Sequence, residues 1–299
     1  MNINLIGVPL SYGCDRDGVQ NGPDELRKLG IVGLLEKNKN KVYDMGNLVV
    51  PNYTCEMRYR WHKKMKYLDP IVKVNTNLAH VVYSSLSSDS FPMIIGGDHS
   101  LGIGSIAGAS KFFKELAVIW VDAHADINDF ETSPSSNIHG MPLAVSMGYG
   151  FESLINIYYE GIKVLPKNVY IIGARDIDPG EMELSKKSKL NLYTMETVKE
   201  KGISYILNEV VEKIKNSTAD GVHLSYDIDV FDSEIVHGTG TRVKDGFTID
   251  EGKKVLFAFL KAGFVTSMDL VEFNPLLDDD KKTTSGLCID ICKHIGELL

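Results

Sequence analysis

Six short apolar runs punctuate the chain, and each stops at a turn or acidic residue: Asn4–Val8, Phe91–Ile95, Leu116–Val121, Val169–Ile172, Gly221–Tyr226 and Phe264–Leu270. They are rich in Val and Ile and four to seven residues long, so they read as buried strands. Between them lie amphipathic or mixed stretches long enough for helices, among them Pro23–Leu35, Ile71–Leu86, Ile203–Lys215 and Ile249–Ala262. Pro23 after Gly22 marks a helix start, and Asp24 and Glu25 suit the positive end of a helix dipole. Strands alternating with helices predict an α/β fold whose mostly parallel sheet is covered on both faces.

With 299 residues, 43% of them hydrophobic, the chain can bury a sizeable core. Length permits one or two domains, but no stretch reads as a linker and no repeat appears, so one domain over residues 1–299 is expected. The formal net charge of −8, without a concentrated basic face, argues against nucleic acid as a partner. No apolar stretch approaches the roughly 20 residues that span a bilayer. The start at Met1 lacks a charged segment followed by an apolar core, so neither a signal peptide nor a membrane partner is expected. Of the four cysteines, Cys288 and Cys292 would share a helix face; disulfide pairing stays open, although sparse cysteines fit a reducing cytoplasm.

The chemically capable residues follow the strands directly, and ligands in open α/β sheets bind at the carboxyl ends of strands. Three segments stand out: Gly96-Gly97-Asp98-His99-Ser100, Asp122-Ala123-His124-Ala125-Asp126-Ile127-Asn128, and Asp227-Ile228-Asp229. Singly each has an ordinary reading: a tight turn with a core histidine, or a turn or helix cap. Leaving Asp98 aside, together they offer two histidines and four aspartates, with Asp122, His124 and Asp126 spaced by two along an extended segment. An oxygen-rich set without thiolates suits a hard divalent ion such as Mn²⁺. Four converging carboxylates would repel unless two dications offset them.

These three segments, in this order, resemble the metal motifs of the ureohydrolase (arginase) family. The resemblance runs from Ile6-Gly7-Val8-Pro9 through Gly13–Val19 and Gly22-Pro23 to Glu272-Phe273-Asn274-Pro275. It implies a three-layer α/β/α domain around a mostly parallel eight-stranded sheet, two Mn²⁺ per chain, and a homo-oligomer, trimer or hexamer. It further implies that His99, Asp122, Asp126 and Asp227 bind one manganese. Asp122, His124, Asp227 and Asp229 would bind the other, so that Asp122 and Asp227 bridge.

The family's reaction is attack by a hydroxide held between the metals on a guanidinium carbon. By resemblance, Asp126 orients the hydroxide, Glu272 fixes the guanidinium, Thr241 sits near it, and His139 shuttles a proton. L-arginine is the implied substrate. Asn128, Ser133, Ser135 and Asn137 match the segment that holds its α-carboxylate, while Asp178 and Glu181 match the residues attending its α-amino group. Asp178-Pro179-Gly180-Glu181 also reads as a helix start with Asp178 as cap. The chain departs from the family where loop prolines and a glycine give way to Ser233, His237, Arg242 and Asp245. Rival readings are agmatinase, guanidinobutyrase or formiminoglutamase, and a catalytically idle metal-binding relative.

Overall fold

The computed structural model describes residues 1–299. Eight strands form one sheet: β1 (Asn2–Val8), β2 (Lys41–Asn47), β3 (Phe91–Gly96), β4 (Leu116–Val121), β5 (Val169–Ile172), β6 (Asn191–Tyr193), β7 (Gly221–Asp227) and β8 (Val265–Val271). Their spatial order is β2-β1-β3-β8-β7-β4-β5-β6. Every pairing is parallel, so the expected "mostly parallel" sheet is wholly so.

Alternation along each strand feeds two cores. Ile3 and Leu5 of β1, Met93 and Ile95 of β3, and Ile119 and Val121 of β4 face one side. There they meet the helices Ile31–Leu35, Ile203–Lys215, Ile249–Lys261 and Thr283–Leu298. Ile6, Ile94, Val118 and Trp120 face the other side and pack on Leu68–Ser87, Gly102–Phe112 and Pro142–Ser146. The cores hold 41 and 37 buried apolar residues, so neither face of the sheet is left to solvent. Apolar residues at helical spacing supply the matching stripes: Ile203, Ile206, Leu207, Val210 and Ile214 are the buried positions of their helix.

One expectation needs correction, and two strands went unread. The stretch Pro23–Leu35 is two helices, Gly22–Lys28 and Ile31–Leu35, parted at Gly30, whose φ of 87° a helix cannot accommodate. β2 carries none of the apolar signal because it is a largely exposed edge strand, and β6 is too short, at three residues, to announce itself. All four cysteines are free, with Cys288 and Cys292 buried. No helix is long and apolar enough to cross a membrane.

The sheet order matters for chemistry. β3, β8, β7 and β4 are consecutive neighbours in its centre although their sequences span residues 91 to 271. The loops leaving their carboxyl ends therefore open onto one small area.

Candidate metal centre and active site

The first of these loops begins at Gly96-Gly97. A Cβ on Gly97 would fall 2.3 Å from the Leu10 carbonyl oxygen and 2.6 Å from that of Val8, so only glycine lets the turn press against the end of β1. Asp98 then acts as a clamp, accepting from the amides of Gly13 at 2.8 Å and Ser100 at 2.9 Å. Burial pushes its carboxyl above the usual range. The turn it fixes delivers His99, whose ring stacks flat on Trp120 with centroids 3.8 Å apart. His99 Nε2 lies 2.8 Å from Ser225 Oγ, which leaves Nδ1 facing the site.

His99 Nδ1 stands 2.9 Å from Asp122 Oδ2, 3.1 Å from Asp227 Oδ2 and 3.3 Å from Asp126 Oδ2. His124 Nδ1 stands 3.1 Å from Asp229 Oδ2 and 3.3 Å from Asp122 Oδ1. Two ligand groups result, His99-Asp122-Asp227 and Asp122-His124-Asp229. Asp122 belongs to both and turns one oxygen towards each histidine. Spacing by two does not by itself produce this convergence: Asp126 has a φ of 53°, so the segment leaves the extended path there. Ligand atoms at right angles about 2.1 Å from an ion stand roughly 3.0 Å apart, close to the separations found.

The rest of each aspartate is tied down by the fold. Trp120 Nε1 donates to Asp122 Oδ2 at 3.0 Å, and the amide of His124 donates to Asp122 Oδ1 at 2.7 Å. Asp227 Oδ1 accepts from the amide of Asp229 at 2.7 Å. Asp229 accepts from the amide of Ala123 at 3.2 Å and from Thr241 Oγ1 at 3.0 Å.

Electrostatics favours cations here. Burial, then repulsion from neighbouring carboxylates, pushes Asp126, Asp227 and Asp229 above the ordinary carboxylate range. Burial acts on Asp122 in the same direction, but the hydrogen bonds from His124 and the close approach of His99 outweigh it and hold Asp122 low. Burial would lower His99, yet the Asp122 carboxylate 2.9 Å away and the other carboxylates around it lift it to about 9. Protons are thus drawn into the cluster to balance its charge, a task two dications would perform better. His99 Nδ1 is also buried without a hydrogen-bond partner despite three carboxylate oxygens around it. An all-nitrogen-and-oxygen donor set with such an orphaned atom fits hard divalent ions.

Above the cluster opens a cleft of about 280 Å³ with no hydrophobic lining residue. His99, His124, Asp126, Asp227 and Asp229 form its floor, and Asn128, Ser133, Ser135, Asn137, His139, Asp178, Glu181, Thr241 and Glu272 also line it. Asp122, fully buried, lies behind the floor. Glu272 Oε1 accepts from the amide of His99 at 2.8 Å and lies 3.2 Å from His139 Nδ1. Burial would lower His139, but the Glu272 contact wins and raises it.

At the rim, Asn128 Nδ2 donates to Asp178 Oδ2 at 2.8 Å. Ser133 Oγ accepts from the amide of Ser136 at 3.1 Å, and Ser135 Oγ from that of Asn137 at 3.2 Å. Each hydroxyl hydrogen stays free for a ligand. Glu181 instead spends its carboxylate on the fold, accepting from the amides of Asp178 at 2.9 Å and Ile127 at 3.0 Å; burial pushes it to about 7. A roomier depression of about 550 Å³ around Met1, Lys39, Phe91 and Phe113 lies at the opposite ends of the strands and holds no ligand cluster.

Sequence reasoning passed over several residues that shape this site. Asp176 lines the cleft, its Oδ2 4.0 Å from His124 Nε2. Behind His99, Ser225 Oγ leads to Asp269 Oδ2 at 3.4 Å, which lies 2.9 Å from His223 Nε2, all buried. Ser225 and His223 sit at alternate positions of β7, the one clue that they share a face.

An α/β/α fold with carboxylate-histidine groups able to hold metal is that of the metal-dependent hydrolases. Residues 1–296 match the arginase family, and the chain belongs to it. It is 42% identical over 282 residues to an arginase from Brevibacillus brevis, covering 94% of this chain and 93% of that one. It is 39% identical over 281 residues to an arginase from Bacillus subtilis, covering 94% and 93%. Among solved structures, arginase from Bacillus cereus superposes with a TM-score of 0.91 at 35% identity, covering 99% and 98%. Entamoeba histolytica arginase in complex with L-ornithine gives 0.88 at 32% identity, covering 99% and 98%.

Proposed function

We propose that this chain hydrolyses L-arginine to L-ornithine and urea with two manganese ions. The observation that carries the reading is the pair of ligand groups sharing Asp122 beneath a polar cleft. His99, Asp122, Asp126 and Asp227 would hold one ion; His124 and Asp229 would hold the other, together with Asp122 and a bridging Asp227. Two bound dications supply hydroxide at neutral pH by lowering the pKa of water from about 15.7 towards 7.

The protein's own residues do the rest. Glu272, held by the His99 amide, draws the guanidinium over the floor of the cleft. Asp126 orients the attacking oxygen. His139, kept basic by Glu272, delivers a proton to the leaving amine. Asn128, Ser133, Ser135 and Asn137 offer N–H and O–H donors to the α-carboxylate, and Asp178, braced by Glu181, faces the α-ammonium. The divergent segment Ser233–Asp245 keeps Thr241 bonded to Asp229, and its His237 is engaged with Arg242 at 3.1 Å, away from the ligand groups. A single-domain, cytoplasmic homo-oligomer completes the reading, with light scattering as the test of assembly.

Urea release from arginine, agmatine and guanidinobutyrate, and formamide release from formiminoglutamate, test the proposal before and after chelation and manganese readdition. Arginine is expected to be turned over fastest, and only with metal. Full turnover by metal-free protein would sink the mechanism; faster turnover of another compound would reassign the substrate.

A further inference from the structure

Seven carboxylates line the cleft (Asp126, Asp176, Asp178, Glu181, Asp227, Asp229 and Glu272), and no Lys or Arg does. A substrate with an α-carboxylate must bring a negative charge into this surrounding. The hydroxyls and amides of the rim can donate hydrogen bonds, but they carry no compensating charge. The hydrogen bonds of the rim reach a lysine one layer back.

Lys66 is 6% exposed, which is rare for a lysine without a purpose-built environment. Its Nζ donates to Asp15 Oδ2 at 2.6 Å and to Asn137 Oδ1 at 2.8 Å. Its backbone amide donates to the Ser136 carbonyl at 3.1 Å. The side chain and the backbone of one residue therefore grip two successive residues of the rim. Asn137 Nδ2 in turn donates to Asp15 Oδ2 at 3.2 Å, closing a three-membered cluster. Arg58 stands near enough to Asp15 to help hold its carboxyl low, so Lys66, Asp15 and Arg58 together carry one net positive charge.

This arrangement settles the polarity of the rim. With its oxygen committed to a cation and one N–H to an anion, the Asn137 amide cannot flip, and its remaining N–H keeps a fixed direction. The Asn137 backbone amide donates to Ser135 Oγ, so the Ser135 hydroxyl hydrogen is turned outward to donate. Ser136 holds a φ of 62° and Tyr67 one of 50°, backbone states that persist only where surrounding contacts enforce them. Lys66 lies directly between the two in this network.

We propose that Lys66, with Asp15 as its counter-ion, is a positioning residue that makes the cleft select substrates bearing an α-carboxylate. It fixes the Ser135–Asn137 donors and supplies the positive charge behind them. The inference rests on the arginine reading above and extends it to a pair of residues separated by 51 positions in the chain.

The test is steady-state kinetics on the manganese-loaded full chain with arginine and agmatine, which differ only in the carboxylate. It is paired with calorimetric binding of the corresponding amines, L-ornithine and putrescine. In Lys66→Met, Asp15 remains solvated at 44% side-chain exposure rather than stranded. The Michaelis constant for arginine should rise about tenfold with kcat nearly unchanged, the loss expected for one charge-assisted contact. Turnover of agmatine should stay within about twofold, and ornithine should bind about tenfold more weakly while putrescine is unaffected. Lys66→Arg, which keeps the charge and the donors, should restore most of the preference. Should Lys66→Met not fold, Lys66→Gln isolates the charge and should still lower the arginine-to-agmatine ratio by at least about threefold. Equal losses for both substrates, or a ratio unchanged in Lys66→Met, would overturn the role of Lys66. Agmatine outrunning arginine in the unmodified enzyme would instead overturn the arginine reading.

Discussion

Arg175→Met should unsettle the metal centre from a distance. The Arg175 guanidinium meets no carboxylate; it donates to six carbonyls, of Gly173, Asp229, Val230, Phe231, Val243 and Lys244, at 2.8–3.2 Å. Five of the six belong to the segment that starts at Asp229, a proposed ligand, and includes the divergent loop. Asp229, Val230 and Phe231 are at most 1% exposed, so water cannot replace the lost donor at their carbonyls. A buried acceptor left unpaired costs roughly 1–3 kcal/mol. The Val230 carbonyl keeps the Phe247 amide at 2.9 Å, so two acceptors are stranded and, with partial relaxation of the loop, give about 2–4 kcal/mol, against a total stability of about 5–15 kcal/mol. Lysine cannot substitute, because a point charge on a flexible stem cannot reproduce a planar five-donor fork. Urea unfolding followed by circular dichroism should show that loss. Manganese titration should show the ion held by His124 and Asp229 weakened by about 10–100-fold, the penalty usual for disturbing a ligand's support. A variant within about 1 kcal/mol of the parent that still binds two ions with unchanged affinity would refute the argument.

Other expectations follow from single contacts. His139→Asn should lower kcat for arginine by about 10²–10⁴ while both ions stay bound, as measured by metal analysis and urea release; an unchanged kcat would remove His139 from proton transfer. Asp122→Ala should empty both ion positions, whereas His99→Ala should weaken one, because Asp122 belongs to both ligand groups and His99 to one; equal metal losses would argue against the sharing. Asp44, paired to Arg27 at 2.8 Å and 2.9 Å, is held below the usual carboxylate range by that hydrogen bond. Its stabilisation is present above the unfolded value near 4 and lost as pH falls towards the lower folded value. The gap in unfolding free energy between the parent and Asp44→Asn should thus be largest near neutrality, under about 1 kcal/mol for so exposed a pair, and shrink below about pH 4; a gap that persists at pH 3 would be inconsistent with the pairing.

The fold was legible where burial wrote it into composition. The runs at residues 116–121 and 169–172 coincide with β4 and β5 because strands covered on both faces can be apolar throughout. β2 escaped notice for the opposite reason: Tyr43 and Met45 are its only large apolar residues besides Val42, and both are exposed. The convergence of His99, Asp122, His124, Asp227 and Asp229 was legible because hard-ion chemistry restricts residue type and because each motif sits at a strand end. What could not be read was anything made by two distant segments. Lys66 in a polar stretch looks solvated until Asp15 and Asn137 close over it. Arg175 looks like a surface cation until the chain returns from Asp229 to Lys244 to wrap it. Asp269 and His223 look like strand residues of no consequence until β7 and β8 pair and put both behind Ser225.

Backbone strain follows the same map. Most non-glycine residues with positive φ lie in exposed turns, such as Asn38, Lys39, Asp89, Asp245 and Lys282. Asp126 and Glu272, with φ of 53° and 63°, are buried, and both stand on the floor of the cleft. Such states cost on the order of 1–3 kcal/mol each and last only where the surroundings over-determine them. The surroundings here do so. The Asp126 carbonyl accepts from the Leu143 amide at 3.0 Å, and the Glu272 amide donates to the Gly97 carbonyl at 3.0 Å. The Glu272 side chain meanwhile accepts from the His99 amide. Gly97 is itself pinned against β1, so the strained Glu272, the clamp Asp98 and the ligand His99 form one mechanical unit built from the ends of β1, β3 and β8. A relaxed backbone at Asp126 or Glu272 would make a more stable protein, but would turn both side chains away from the cleft, where the proposed reaction needs them. The strain is therefore a cost of aiming two carboxylates inward from a sheet whose own geometry would point them elsewhere.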